Sequence, residues 1–400
     1  MNFERIIEFV REHRDEDPLK LLLQQKKYPD VDMTMVAQQI EGQRQASAKW
    51  PTLAGCEGFL YPPRLNREQS SSEDAAVHKA EVFQNLFGNG RRLNIADLTG
   101  GMGIDSIAFA KTLDSDVDYV ECDAGLCQRM EHNTNALGLS NVTVHCGDGI
   151  EWLRDSGQRY DIIYVDPARR DTHGKKVAAF EDCTPNILEH RELLAERCDF
   201  LVVKASPMMD IDKGIEQLVN VGDVYVVAVK NECKELVFVC GHSDDEPRIH
   251  CHHMHHDVVD DLVFTRQEET QAKVAYAADV KKYLYEPNAA LMKAGPFKLL
   301  SQREGVEKLA RNTHLYTSDS LLQNFPGRTF GVIVETCLNS KEVKRLIPDG
   351  KAHVVTRNYP VAAADLQRQL RLKEGGDLFV IATTIGTKKT GFICCLQKNY

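Results

Sequence analysis

Asp97-Leu-Thr-Gly-Gly-Met-Gly103 sets an acid at the end of a short apolar run and three glycines in the next six residues, just before a helix-like stretch from Ile104 to Lys111. Gly100, Gly101 and Gly103 carry no Cβ, so such a turn can reach positive φ and lie against a bulky ligand. Glu121 follows 18 residues after Gly103, close to the spacing at which an acid accepts both hydroxyls of a bound ribose. Asp148, in Gly147-Asp-Gly149, is placed to accept from an exocyclic adenine amine. Asp166-Pro-Ala-Arg-Arg170 closes a fourth apolar run. It puts a carboxylate and a proline carbonyl, both acceptors for an amine, beside two guanidinium groups able to grip phosphate bidentately. The plainer readings are a turn aspartate for Asp148 and solvated surface for the arginine pair.

The turn suits one of two cofactors. A dinucleotide wants a third glycine three residues after Gly103, and Ser106 stands there. Asp97 opposes a pyrophosphate but suits an ammonium group, such as that of a methionyl moiety. His250-Cys-His-His-Met-His-His256 invites a metal reading. Zinc sites usually show two spaced ligand pairs, with Cys240-Gly-His242 the nearest second pair. Histidines along an extended segment divide between opposite faces, so a solvated strand, and no metal, is expected.

The elements that must position these residues alternate. Strands are expected at Leu93–Leu98, Asp118–Cys122, Val142–His145, Tyr160–Asp166 and Phe200–Ala205, with helices between them at Asp105–Leu113, Leu126–Leu137, Ile150–Asp155 and Pro185–Arg197. That rhythm implies a parallel sheet covered on both faces. Asp223–Lys230 and Lys234–Cys240 end it as an antiparallel hairpin. Upstream, residues 1–60 read as short helices, and a helix over Asp74–Phe87 is expected to be capped by Ser70 or Ser71. Beyond Val274, helix-like stretches (Pro287–Ala294, Gly305–Arg311, Val361–Glu374) alternate with β-rich ones (Thr329–Thr336, Ala352–Thr356, Leu378–Thr383, Gly391–Leu396).

Asp97-Leu-Thr-Gly-Gly-Met-Gly103, Glu121, Gly147-Asp148 and the terminal hairpin together resemble a class I S-adenosylmethionine-dependent methyltransferase, over roughly Arg64 to Gly241. The resemblance implies a Rossmann-like seven-stranded α/β sheet whose last strand is antiparallel. It also implies S-adenosylmethionine held by Asp97, Thr99, Gly101, Gly103, Glu121, Asp148 and Asp166, with Gln69 and Ser72 reaching its methionine end. Asp166-Pro167 matches the Asp/Asn-Pro-Pro-aromatic motif of amino-methylating members, while Ala168 and Arg169 depart from it. The expected catalytic set is therefore Asp166, Pro167 and Arg169. Cys183 invites comparison with the nucleophile of enzymes that methylate pyrimidine carbons, but a thiolate is needed and Glu181 and Asp182 oppose one.

Glu68-Gln-Ser-Ser-Ser-Glu73, Val203-Lys-Ala-Ser-Pro207 and Tyr285-Glu-Pro-Asn-Ala-Ala290 extend the likeness to a bacterial family that joins such a domain to a ferredoxin-like segment and a THUMP-like domain. The division implied is a helical region at 1–75, the methyltransferase domain at 76–242, a connecting segment at 243–273, the ferredoxin-like segment at 274–322 and the THUMP-like domain at 323–400. THUMP domains of the wider superfamily bind tRNA. This agrees with the charge distribution: residues 281–400 hold 19 Lys+Arg against 10 Asp+Glu, while the chain as a whole is at −10. Arg170, Arg357, Arg368, Arg371 and Lys388 are the expected RNA contacts. The twelve cysteines are expected as free thiols in a cytoplasmic protein, and no run of 18 apolar residues suggests a membrane span. The function expected is methylation of RNA, at a tRNA base nitrogen. The alternatives are a methyltransferase for a protein or small molecule, and a noncatalytic RNA-binding protein that keeps the fold.

Overall fold

The computed structural model describes residues 3–88, 90–169, 180–241, 245–255 and 258–397. Arg170 lies outside these residues, and so does the side chain of Arg169. The chain divides into two compact units, Met1–Asp223 with Lys234–Asp245 and Val224–Cys233 with Glu246–Tyr400.

The first unit opens with six helices: α1 (Phe3–His13), α2 (Pro18–Leu22), α3 (Met33–Lys49), α4 (Pro51–Ala54), α5 (Arg64–Gln69) and α6 (Glu73–Phe87). Asp32 starts α3 by accepting the N–H groups of Thr34 and Met35. Ile6, Phe9 and Val10 of α1 then pack on Leu21, Val36 and Ile40. The cap of α6 is Ser72 rather than Ser70 or Ser71, its Oγ accepting the N–H of Ala75 at 3.3 Å. The other two hydroxyls have different partners, Ser70 donating to the Arg67 carbonyl and Ser71 to Asp105. Ala76, Ala80, Phe83 and Phe87 recur at helical spacing on the buried face of α6. Phe83 stacks on Phe109 with centroids 5.2 Å apart.

Strand and helix alternate from there: β1 (Leu93–Asp97), α7 (Ile104–Thr112), β2 (Ser115–Glu121), α8 (Ala124–Leu137), β3 (Val142–Cys146), α9 (Gly149–Ser156), β4 (Tyr160–Val165), β5 (Ala168–Arg169), β6 (Cys183–Thr184), α10 (Arg191–Arg197), β7 (Cys198–Ala205), α11 (Ile211–Gln217), β8 (Val221–Val229) and β9 (Glu232–Cys240). Within the first unit the order is β9-β7-β4-β1-β2-β3. Every pairing is parallel except β7 with β9. The order reverses between β1 and β4, the switch point at whose carboxyl edge ligands bind in open α/β sheets. The resemblance implies a seven-stranded sheet; among the described residues six of its strands belong wholly to this unit, and β8 is divided, its first three residues here and the rest in the second unit. Helix α10 begins later than Pro185 because Asn186 turns its side chain onto the N–H of Leu188 at 3.2 Å, which favours a turn over a helix start.

The second unit continues with β10 (Arg248–His255), β11 (Val258–Phe264), α12 (Arg266–Gln271), β12 (Tyr283–Pro287), α13 (Ala289–Ala294), α14 (Phe297–Glu304), β13 (Glu307–Ala310), β14 (Thr313–Ser318), β15 (Gly327–Thr336), α15 (Ser340–Leu346), β16 (His353–Arg357), α16 (Ala363–Leu370), β17 (Leu378–Ile385) and β18 (Lys388–Leu396). Residues 283–396 build a seven-stranded sheet in the order β13-β14-β12-β15-β18-β17-β16, antiparallel except for β16 with β17. Leu284, Leu309, Leu315, Phe330, Ile381 and Phe392 fill one core of it. Gly305–Arg311, expected as helix, is instead the end of α14 followed by β13. Gly305, at φ +65°, closes the helix in the left-handed conformation that glycine adopts without cost, and the chain leaves extended. Among the described residues no helix is long and apolar enough to cross a membrane.

Candidate active site

The expected acids gather along one edge of the first unit, at or just beyond the carboxyl ends of β1, β2, β3 and β4. Asp97 ends β1 almost fully buried. Its Oδ1 accepts the N–H of Thr99 at 3.1 Å and its Oδ2 the hydroxyl of Ser106 at 2.5 Å. Burial pushes its carboxyl up to about 7, against the pull of those two hydrogen bonds. Asp97 thus holds the glycine turn from within. Ser106, which the dinucleotide pattern would have as glycine, is its partner.

The turn is packed from behind and open in front. A Cβ at Gly100 would meet Tyr119 Cε2 at 2.2 Å, and one at Gly103 would meet Met130 Sδ at 2.5 Å. At Gly101, φ is +55° and the nearest atom to a Cβ would be 3.7 Å away. Glu121, at the end of β2, accepts the N–H of Gly101 through Oε2 and that of Asp123 through Oε1, both at 2.8 Å. Asp148 caps α9 through Oδ1, which accepts from Ile150 and Glu151, and is otherwise exposed. Gln69 is exposed at the end of α5, and Ser72 caps α6.

Asp166 joins this turn to a charged cluster. Its N–H donates to Thr99 Oγ1 at 2.6 Å, tying the end of β4 to the turn after β1. Its Oδ2 lies 2.5 Å from Lys204 Nζ. Lys204 also faces Asp105 at 3.9 Å and Glu235 at 4.0 Å. A second buried ammonium, Lys79, lies 3.1 Å from Asp105 and 2.5 Å from Glu235. Ser71 and Tyr164 each donate to Asp105 Oδ2 at 3.0 Å. Burial by itself would discharge Lys204; the carboxylates of Asp166, Asp105 and Glu235 outweigh it and hold the ammonium above its ordinary range. Asp105 is drawn the same way: burial raises its carboxyl, and Lys79 and Lys204 bring it below the usual value. Two cations and three carboxylates thus form one network, reaching solvent at the one-third-exposed side chain of Asp166.

Lys79, Asp105, Lys204 and Glu235 were not among the sequence-expected site residues, although each left a mark. Lys79 sits on the apolar stripe of α6 between Ala76 and Phe83. Lys204 interrupts the apolar run of β7, and Glu235 stands at the head of that of β9. A charge inside such a run must find a partner.

Pro167 is partly exposed beside Asp166, and the backbone of Arg169 pairs with Cys183, itself buried. In the second unit, Arg357 Nη2 lies 2.5 Å from the buried Glu286, and Arg368 pairs with Asp365. Arg371 is exposed in the left-handed cap of α16, and the exposed Lys388 lies 2.7 Å from Glu335.

Family profiles match a ferredoxin-like domain at residues 283–326 and a THUMP domain-like region at 327–396. Two Mycobacterium tuberculosis proteins, from strains CDC 1551 / Oshkosh and H37Rv, are 22% identical over 347 residues, covering 83% of this chain and 90% of theirs. Both are named as uncharacterized S-adenosylmethionine-dependent methyltransferases. The crystal structure of a candidate methyltransferase from Porphyromonas gingivalis W83 superposes with a TM-score of 0.87 at 29% identity, over 99% of this chain and 98% of that one. With a glycine turn at the switch point of an α/β sheet, this chain is similar to S-adenosylmethionine-dependent methyltransferases of class I and carries a ferredoxin-like segment and a THUMP-like domain.

Proposed function

We propose that the protein transfers a methyl group from S-adenosylmethionine to an amino or ring nitrogen of an RNA base, in tRNA, within the cytoplasm. The observation that carries this reading is the double anchoring of Asp166, to Lys204 through its carboxylate and to Thr99 of the glycine turn through its N–H. An acceptor for the target amine is thereby fixed next to the turn that would receive the cofactor.

The residues present fit that cofactor. The open face of Gly101 admits a bulky ligand, Glu121 offers its carboxylate to a ribose, and Asp148 keeps an exposed carboxylate beside them. Asp97 supplies negative charge near the methionine end once it ionises. When bound, S-adenosylmethionine supplies an electrophilic methyl on a sulfonium, which needs little further activation. The protein's part is chiefly orientation. The carboxylate of Asp166 and the carbonyl of Pro167 accept from the target nitrogen and aim its lone pair. Lys204 fixes the carboxylate oxygen that does not face the target. Arg169 and Arg170, which follow this motif in the sequence, supply guanidinium groups for a backbone phosphate, and the basic 281–400 region, with Arg357, Arg368, Arg371 and Lys388, adds contacts of the same kind.

Titration calorimetry with S-adenosylmethionine, and NAD as control, tests the cofactor; incubation with labelled methyl donor and total RNA tests the acceptor. Micromolar binding of S-adenosylmethionine alone and label in the tRNA fraction are expected. Asp166→Ala should keep cofactor affinity within about twofold and lower transfer by at least about 100-fold. Binding without RNA labelling would move the acceptor to a protein or small molecule. A folded protein that does not bind the cofactor would leave a noncatalytic RNA-binding role.

A further inference from the structure

The histidine-rich segment lies on β10, and its pairing with β11 sorts the side chains by face. His252 stands across from Asp261, His253 across from Asp260, and His250 across from Val263. Opposed residues share a face and successive ones alternate. His250, His252 and Asp261 therefore share one face of the hairpin, while His253 and Asp260 share the other. On that second face the imidazole serves local structure. His253 Nε2 accepts the N–H of Asn231 at 3.1 Å, and its Nδ1 faces Asp260 at 3.3 Å.

On the first face three candidate ligands converge. A ring nitrogen of His250, one of His252 and a carboxylate oxygen of Asp261 all lie within 4.8 Å of one another. His252 Nε2 is 3.3 Å from Asp261 Oδ1. Tyr225, on the neighbouring strand β8, stacks on His250 with centroids 4.3 Å apart and an 18° angle between planes. The same ring meets His252 at 5.2 Å and 63°. A ring gripped on its face keeps its nitrogens directed in plane, where metal bonds form. His252 is buried, His250 partly so, and Asp261 exposed, so an ion can enter from the carboxylate side and keep a water ligand.

We propose that His250, His252 and Asp261 form a binding site for a borderline divalent cation of the zinc class, completed by water. Two imidazoles and one carboxylate favour such an ion over calcium or magnesium, which take oxygen ligands. Tetrahedral ligand atoms roughly 2.0–2.1 Å from an ion lie about 3.3–3.4 Å apart; His252 and Asp261 already stand at 3.3 Å, and the widest pair of the three, within 4.8 Å, closes by up to about 1.5 Å on binding. This departs from the expectation that no metal binds. The histidines on one face are two residues apart, and the third ligand arrives from the next strand, where a search for ligand pairs along the chain does not look.

Cobalt(II) is the probe, titrated into the tag-free, reduced, full-length protein and followed by visible absorption, with zinc added afterwards. One saturable equivalent is expected, with spectra of nitrogen and oxygen ligands and displacement by zinc. His250→Ala or His252→Ala should weaken cobalt binding by at least about 100-fold, as much as or more than loss of a merely supporting group costs, while His253→Ala leaves it unchanged. If circular dichroism shows that the alanine variants do not fold, Asp261→Asn replaces them, with a loss of at least about tenfold expected. Absence of saturable binding, thiolate charge-transfer bands, or equal affinity in the folded variants would overturn the proposal.

Discussion

Lys204 and Lys79 are cations that folding removes from water, and their positions are explained only by the three carboxylates around them. Removing one partner of a buried ion pair costs roughly 3–5 kcal/mol, because the charge left behind is uncompensated. Lys204→Met should therefore lower the melting temperature and also cut transfer by about 100-fold by releasing Asp166, with cofactor affinity little changed. Lys204→Arg should restore more stability than activity, because a guanidinium keeps the charge but not the position of Nζ. Equal losses in the two variants, measured by calorimetry and labelled transfer, would argue against a positioning role. Asp97 gives a prediction in pH. Its folded-state pKa of about 7 lies above its ordinary 3.8, so the native state holds the proton more tightly. The resulting stabilisation is complete below about pH 4 and lost as pH rises through 7. The melting temperature of the wild type relative to Asp97→Asn should fall between pH 5 and pH 8, by the equivalent of a few kcal/mol; a constant difference would mean that Asp97 is ionised throughout. At this scale the sequence showed residues that stand in motifs. It did not show Lys79, Lys204 or Glu235, because what gives those residues meaning is convergence from three elements far apart in the chain.

The turn between β1 and α7 is where geometry rather than chemistry does most of the selecting. Gly101→Val places a β-branched residue at φ +55° and fills the open face, so cofactor binding should be abolished while far-UV circular dichroism is retained; an unchanged dissociation constant would remove the turn from the site. The alternation of the α/β unit was legible because each strand is a short apolar run bounded by turn residues, and the observed strands start or end within three residues of the expected ones. What stayed hidden depends on pairing. The histidine-rich stretch of β10 reads as a solvated strand because its partner β11, with Asp260 and Asp261 inside an apolar run, is not marked as such by the sequence, and only their mutual register gives them a shared face. Gly305–Arg311 looked helical because Val306, Leu309 and Ala310 suit either period.

For the whole molecule, net charge is a poor guide and its distribution a better one. A chain at −10 would be expected to avoid polyanions, yet its last 120 residues carry a net +9. If that region holds tRNA through phosphates, neutralising Arg368, Arg371 and Lys388 together should weaken binding and reduce the slope of log affinity against log salt by about 2–3, with cofactor affinity unchanged; an unaltered slope would place the contact elsewhere. The cut between the units inside the β8–β9 hairpin also has a bearing on synthesis. The first unit is discontinuous, and Glu235 belongs to its closing segment, Lys234–Asp245. While the chain is being made, Lys79 and Asp105 leave the ribosome more than a hundred residues before Glu235 does, so the charged core cannot close until β9, the last strand of its own sheet, has been made. The first unit therefore closes only after the chain has left it over Val224–Cys233 and come back, which makes its charged core a late step of synthesis.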